Sequence, residues 1–347
     1  MPTNQTNQKP VKRETNSVIV SGFLKENTLE VITSSNGKKA IRGNLIIATG
    51  PIESYKIQFY VYETPRNAEE GTESKFYKMV SDLLPVNTMT LANYLSENPN
   101  ATFEEASAAA SKVWAAGNFD EYIRQGDDGE QISVIQIRGR RCGFKTVSGD
   151  KPFRPHATFE AKIFIQSIEP EMSEPIGDAV SEATGRLKLT GLIQNYDQSM
   201  TVVPFIVPAE DGVADYVSAH YGVGDTVYVE GSLANTIYKI NAEPTVAKFG
   251  SASHAQYTTR FVNERLITGG DQDPLPVGNP DIISASAVKI GLAKREAKVQ
   301  EAAARSASRP AAGARKVTNN GGTAGKTPFP AAPKAFSGLP GEDEVDF

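Results

Sequence analysis

Short runs of β-branched and aromatic residues, each cut off by turn-forming material, recur along most of this chain. Residues 17–24, 28–33, 40–49 and 55–63 come first, with Ser35-Asn36-Gly37 as a turn between the second and third. Runs of this length and alternation predict half-buried strands joined by tight turns. Further strands are expected at 131–141 and 157–168. A second series follows at 186–196, 200–208, 225–233, 237–241 and 257–268, with a short helix near 213–220. Short strands with one helix among them and Gly-marked corners predict a small closed barrel, which leaves no edge to protect. The first region has a similar strand set, interrupted by a helical stretch at about 74–122. Within it, Phe103, Ala106, Ala110, Val113 and Trp114 recur at helical spacing, and Asn100 is the expected cap. On that reading Trp114 belongs to a core.

Composition then divides the chain. From 302 to 341 it is dominated by Ala, Gly, Pro, Ser and Thr, with Val317, Phe329, Phe336 and Leu339 as the only large apolar residues. Such a segment buries too little to offset the entropy of ordering it and is expected to be disordered. Residues 1–16 read as equally loose. The acidic stretch around Pro170 and Pro175 reads as a linker, and 282–305 carries the composition of a short basic helix. The predicted organisation is a disordered N-terminus (1–16), a barrel with a helical insertion (17–170), a linker (171–184), a second barrel (185–270), a connecting segment and basic tail (271–341) and an acidic tip (342–347).

Charge follows the same divisions. The net charge of −5 resolves into −9 over 1–285, +8 over 286–341 and −4 over the last six residues. The average acidity, which at first sight argues against a polyanionic partner, therefore describes no part of the chain. No apolar run approaches the length of a membrane span. The polar N-terminus lacks the apolar core of a secretory signal, so a cytoplasmic location is expected. A single cysteine, Cys142, excludes an internal disulfide framework and a cysteine zinc site.

Two stretches carry a resemblance. Gly185-Arg186-Leu187-Lys188-Leu189-Thr190-Gly191-Leu192-Ile193, followed by Val223-Gly224-Asp225-Thr226-Val227-Tyr228-Val229-Glu230-Gly231-Ser232-Leu233, resembles strands of OB-fold single-stranded DNA-binding proteins. The terminus Gly341-Glu342-Asp343-Glu344-Val345-Asp346-Phe347 is similar to the acidic tip, ending in Phe, of phage and bacterial members. The resemblance implies a mainly β fold of two tandem OB-like barrels, the first with a helical insertion, followed by a disordered C-terminal tail. It also implies single-stranded DNA as partner, and replication or recombination proteins recruited through the tip. The helical insertion and the two barrels per chain depart from the common bacterial form. They point to a phage-type or divergent member and leave the oligomeric state open, a homo-oligomer included.

Single-strand binding needs cations for phosphates and aromatic faces for bases. The strand at 55–63 offers both: Ile57, Phe59 and Val61 alternate with Lys56, Gln58, Tyr60 and Tyr62. Its bland reading is a second apolar layer beneath the helical insertion. The segment 132–164 carries a local +5, with Arg138, Arg140, Arg141, Lys145 and Arg154 interleaved with Phe144 and Phe153. Gly139, Gly143 and Gly149 suit a mobile hairpin there. Lys188, Tyr196, Tyr228 and Tyr238 are weaker candidates in the second barrel, since Tyr on a half-buried strand ordinarily packs. In the tip, Phe347 suits a pocket, while the carboxylates of Glu342, Asp343, Glu344 and Asp346 beside Val345 suit cations on a partner.

Other chemistries find little support. Gly325-Lys326-Thr327 lacks both the preceding glycine, Asn320 standing there, and the strand of a phosphate-binding loop. His156, His220 and His254 are isolated, and no nucleophile elbow occurs. No cofactor is expected. The reading is a non-enzymatic, sequence-independent single-stranded DNA-binding protein of replication, recombination or repair. The alternative is an OB-fold protein-interaction or assembly module of a replisome or virion without direct DNA binding.

Overall fold

A computed structural model describes residues 13–34, 36–65, 72–125, 131–146, 152–173, 181–241 and 257–308. Six strands form the first half: β1 (Asn16–Asn27), β2 (Glu30–Thr33), β3 (Lys39–Ala48), β4 (Ser54–Tyr62), β5 (Lys112–Gln125) and β6 (Gln131–Phe144). Hydrogen bonding runs β1–β3–β4–β6–β5 and returns to β1, closing a five-stranded barrel with β2 hung on β3. The second half repeats this plan with β7 (His156–Met172), β8 (Ala183–Gln194), β9 (Met200–Val207), β10 (Thr226–Asn241) and β11 (Tyr257–Gly270). These close in the order β7–β8–β9–β11–β10–β7. Each barrel has one parallel contact, β4–β6 or β9–β11, among antiparallel ones. The fold is mainly β, two OB-like barrels with a helical insertion in the first, as the sequence predicts.

Several expectations fail in the detail of the elements. Residues 112–125 are strand, not the end of a helix. The insertion is three short helices, α1 (Lys75–Ser81), α2 (Leu91–Glu97) and α3 (Phe103–Ala109). Helix α3 starts from Thr102, whose hydroxyl accepts from the Glu105 N–H while the Glu105 carboxylate accepts from the Thr102 N–H, so Thr102 and not Asn100 is the cap. Along β5, Val113, Ala115, Gly117 and Phe119 are buried and Trp114, Ala116 and Asn118 are not, a strict period of two. Alanine-rich composition disguised that alternation as helix. With β5 completing the first barrel, the strand expected to close it, β7, instead opens the second. The proposed linker at 171–184 accordingly spans the end of β7, the start of β8 and the connection between them. The breaks expected at 233–237 are also absent, because β10 pairs without interruption with β11 through Ala234–Glu264 and Asn235–Asn263.

The barrels share strands and core. Residues 18–21 of β1 pair with β5 on one side and β7 on the other, and β7 pairs in turn with β10. One apolar cluster runs through both interiors. At its waist the rings of Phe119, Phe159 and Phe205 lie with centroids 5.4–6.2 Å apart, and each such fully buried ring contributes about 1.5–3 kcal/mol. Buried Asn16 is satisfied there by the backbone of Phe119, accepting from its N–H and donating to its carbonyl at 2.9 Å each. Tyr55 on β4 donates to the Leu233 carbonyl of β10 at 2.6 Å.

Helix α4 (Val213–His220) sits between β9 and β10, and α5 (Ala285–Ser308) follows the second barrel. Val288 on α5, with Ile283 just before it, forms an apolar cluster with Leu192 of β8 and Met200 of β9, joined by Leu292 and Val202. Two basic residues of α5 meet protein carboxylates: Arg295 makes a forked pair with Glu121 of β5 at 2.5–3.1 Å, and Lys298 meets Asp197 at 2.7 Å. Residues 309–347, which hold the tip, lie outside the described residues.

Candidate nucleic-acid interface

The outer wall of the first barrel gathers most of the candidate residues. On β4 the inward side chains are Tyr55, Ile57, Phe59 and Val61, and the outward ones are Lys56, Gln58, Tyr60 and Tyr62. The insertion does not cover this wall: Tyr60 and Tyr62 are 42% and 38% exposed. Their rings meet edge to face at 5.3 Å with hydroxyls 3.5 Å apart. The hydrogen bond to Tyr62 pushes the Tyr60 hydroxyl above its ordinary range. Arg42 lies opposite Tyr60 on β3, held by Glu30 at 2.7 Å.

Strand β6 runs parallel beside β4, with Arg138 next to Gln58. The basic segment is therefore a strand as far as Phe144, where a mobile hairpin was expected. Arg138 reaches Asp120 at 3.8 Å, an exposed pair that holds it loosely. The β5–β6 register slips where Ala116 faces Arg141 and Gly117 faces Gly139, leaving Arg140 as the extra residue of a bulge. A bulge re-aims side chains, and here two consecutive arginines are exposed. Neither the Arg140 nor the Arg141 guanidinium makes an ion pair or hydrogen bond with any described residue, and both residues border an open groove on the neighbouring strands. Phe144 (44% exposed) and exposed Lys145 follow at the strand's end.

Other candidates are placed differently. Phe153 is half-buried, edge-on to Phe23 at 5.3 Å, with the Lys112 ammonium 5.9 Å from its ring. Arg154 is exposed, and its carbonyl meets the His156 ring nitrogen at 3.0 Å. In the second barrel, Lys188 is exposed on β8 and Tyr196 stands fully in solvent at the β8–β9 turn. Tyr228 is buried beneath the Arg13 guanidinium, 4.1 Å from its ring centroid, with no free face of the kind stacking needs. Tyr238 lies on β10, but its side chain is outside the described residues, as are 342–347.

The two barrels differ at equivalent places. In the first, the outer face of β3–β4 is polar, aromatic and open. In the second, the matching β8–β9 face carries Leu192, Met200 and Val202 and is covered by α5. The residue that sequence reasoning misplaced is Trp114, which stands on the outer wall of β5 beside Arg140 and Arg141. Its signal was present, since Val113 to Phe119 alternates with period two. Among the described residues, no three His, Cys, Asp or Glu side chains gather as metal ligands, and no helix is long and apolar enough to cross a membrane.

Comparison with solved structures finds distant likenesses. A deletion mutant of the single-stranded DNA binding protein from Thermus aquaticus shares 13% identity over 78% of this chain and 98% of its own, with a TM-score of 0.42. The wild-type protein gives 14%, 79%, 99% and 0.40. The mitochondrial single-stranded DNA binding protein Rim1 from S. cerevisiae gives 12% identity over 40% of this chain and 100% of its own, with a TM-score of 0.19. No curated protein matches the chain in sequence. The YorF family model matches residues 14–276, both barrels from β1 to beyond β11, and the chain belongs to the YorF family.

Proposed function

We propose that this chain is a sequence-independent single-stranded DNA-binding protein of replication, recombination or repair, acting by binding alone, and that its first barrel holds the strand. The carrying observation is the uncovered Tyr60–Tyr62 pair on a wall shared with Arg140 and Arg141, whose guanidinium groups have no partner among the described residues. Arginine and lysine neutralise phosphates, and the two phenol rings offer faces on which any base can stack. No hydrogen-bonding pocket for a base edge is needed, so the binding tolerates sequence. The second barrel serves as support, because its matching face is apolar and taken up by α5.

Titration of labelled dT oligonucleotides tests this. Binding is expected at low salt and weakens steeply as salt rises, because phosphate contacts release counterions. Tyr60→Ala and Tyr62→Ala are each expected to cost about 1–3 kcal/mol of affinity. No binding at low salt, or affinity in both variants unchanged from that of the unaltered chain, overturns the reading in favour of a protein-interaction module.

Partner recruitment is assigned to the tip, on the grounds of its four carboxylates and terminal aromatic. Deleting Glu342–Phe347 is expected to leave DNA affinity intact or raised and to abolish capture of a replication or recombination protein; reduced DNA affinity refutes that role.

A further inference from the structure

The open groove beside Arg140 and Arg141 lies where the barrels join. Its floor and walls come from β6, β5, β1 and β7, so both barrels contribute. Arg140 and Arg141 form one wall, Trp114 and Ile19 the apolar middle, and Thr158 and Glu160 the far wall. Its volume, about 260 Å³, falls below the range of roughly 300–1,000 Å³ typical of pockets that enclose small molecules. It lies open at the surface across four adjacent strands and is large enough for one unit of a longer chain.

Trp114 is not a core residue that happens to be near the surface. Its neighbours Val113 and Ala115 fill the barrel interior, and strand alternation sends the indole outward. The ring lies over Gly143 of β6, where even a Cβ would stand 3.2 Å from its Nε1. Among the described residues no aromatic ring pairs with it and its indole N–H donates to nothing. Across the groove, Ile19 is 42% exposed on a strand that is paired along both edges. A partly exposed indole and an exposed isoleucine beside a wall of two arginines have the composition of a base-stacking platform.

We propose that this junction groove is a second nucleotide subsite, in which Trp114 stacks one base of a single strand while Arg140 and Arg141 hold the adjoining phosphates. The inference rests on the single-strand reading above and extends the path from the Tyr60–Tyr62 wall across β6 and β5 to the seam between the barrels. Charge sets how the strand lies. Phosphates are drawn to the β6 wall and repelled by Glu160 on the β7 wall, which turns the bases toward Trp114 and Ile19. Thr158 lines the same groove, and its hydroxyl suits a base edge.

Trp114 is the only tryptophan in the chain, so intrinsic fluorescence reports on this groove alone. Titrating the full chain with dT oligonucleotides is expected to quench the emission saturably, in step with the anisotropy of a labelled oligonucleotide. Trp114→Ala is expected to weaken binding roughly tenfold while leaving the Tyr60–Tyr62 wall in use, and Trp114→Phe to restore most of the loss. An oligonucleotide carrying 5-iodouracil is expected to crosslink to Trp114. Binding by anisotropy with unchanged emission and no crosslink at Trp114 overturns the subsite and leaves the wall standing. No binding at all overturns both. If Trp114→Ala fails to fold, quenching and crosslinking on the unaltered chain still decide the matter.

Discussion

Tyr60, Tyr62 and Tyr228 are the same residue type on similar strands, yet only the first two keep an open ring. Alternation along 55–62 was enough to place Tyr60 and Tyr62 on the outer wall, because period two is a local property. Nothing local announces that Arg13, more than two hundred positions earlier, lies over Tyr228, or that Phe23 takes up Phe153. Those covers depend on which strands become neighbours. The same holds for Asp197, whose carboxyl accepts from the Lys298 ammonium at 2.7 Å, and from the Ser199 hydroxyl at 2.6 Å and N–H at 3.0 Å. These contacts, Lys298 first, hold the carboxyl well below the usual carboxylate range. A depressed folded value means that the contribution is complete above the unfolded value of about 3.9 and fades as pH falls through the folded one. Asp197→Asn is therefore expected to lower the melting temperature at pH 7, and the difference from the unaltered chain to shrink steadily as pH falls below the unfolded carboxylate value. Melting curves across that range check it, and a difference independent of pH refutes it.

At the scale of elements, strands with clean alternation were legible and Ala-rich β5 was not. Val113, Ala115 and Gly117 are small inward residues, so the strand carries few of the branched and aromatic side chains that mark one. Its three preceding helices are short, and their capping residues, Ser74, Thr90 and Thr102, each accept a backbone N–H at the helix start. Helix α5 was legible as a basic helix, whereas its seat was not. That seat depends on Gly291: a Cβ there would lie 2.6 Å from the Met200 Cγ and 2.8 Å from the Gln198 carbonyl. Gly291→Val is expected to lift α5 from β8–β9 and cost about 1–3 kcal/mol through overpacking. Faster hydrogen exchange over 285–298 with unchanged oligonucleotide affinity is the expected result. Lost affinity would mean that the helix, and not the first barrel alone, meets DNA.

For the whole molecule, two barrels were legible from the number of strands, whereas their fusion was not. Misreading β5 as helix left the first barrel one strand short, and β7 was borrowed to complete it. The actual arrangement pairs β1 with β7 and runs one core through Phe119, Phe159 and Phe205. Barrels that share a core lose it together, so unfolding in denaturant is expected as a single transition, with Trp114 emission and far-ultraviolet circular dichroism tracing the same curve. Two separated transitions would show that the barrels are independent. The circular order of the strands also bears on what can lie against them. From β4 through β6, β5 and β1 to β7 there are four steps of roughly 4.8 Å, so the whole path is roughly 2 nm along a curved wall. Double-stranded DNA stays straight over about 50 nm and can touch such a wall only at a tangent, through a phosphate or two. A single strand bends within a few bonds and can turn its bases inward along the entire arc. On the proposed function, discrimination between one strand and two is then a matter of bending stiffness, set against the curvature of a barrel.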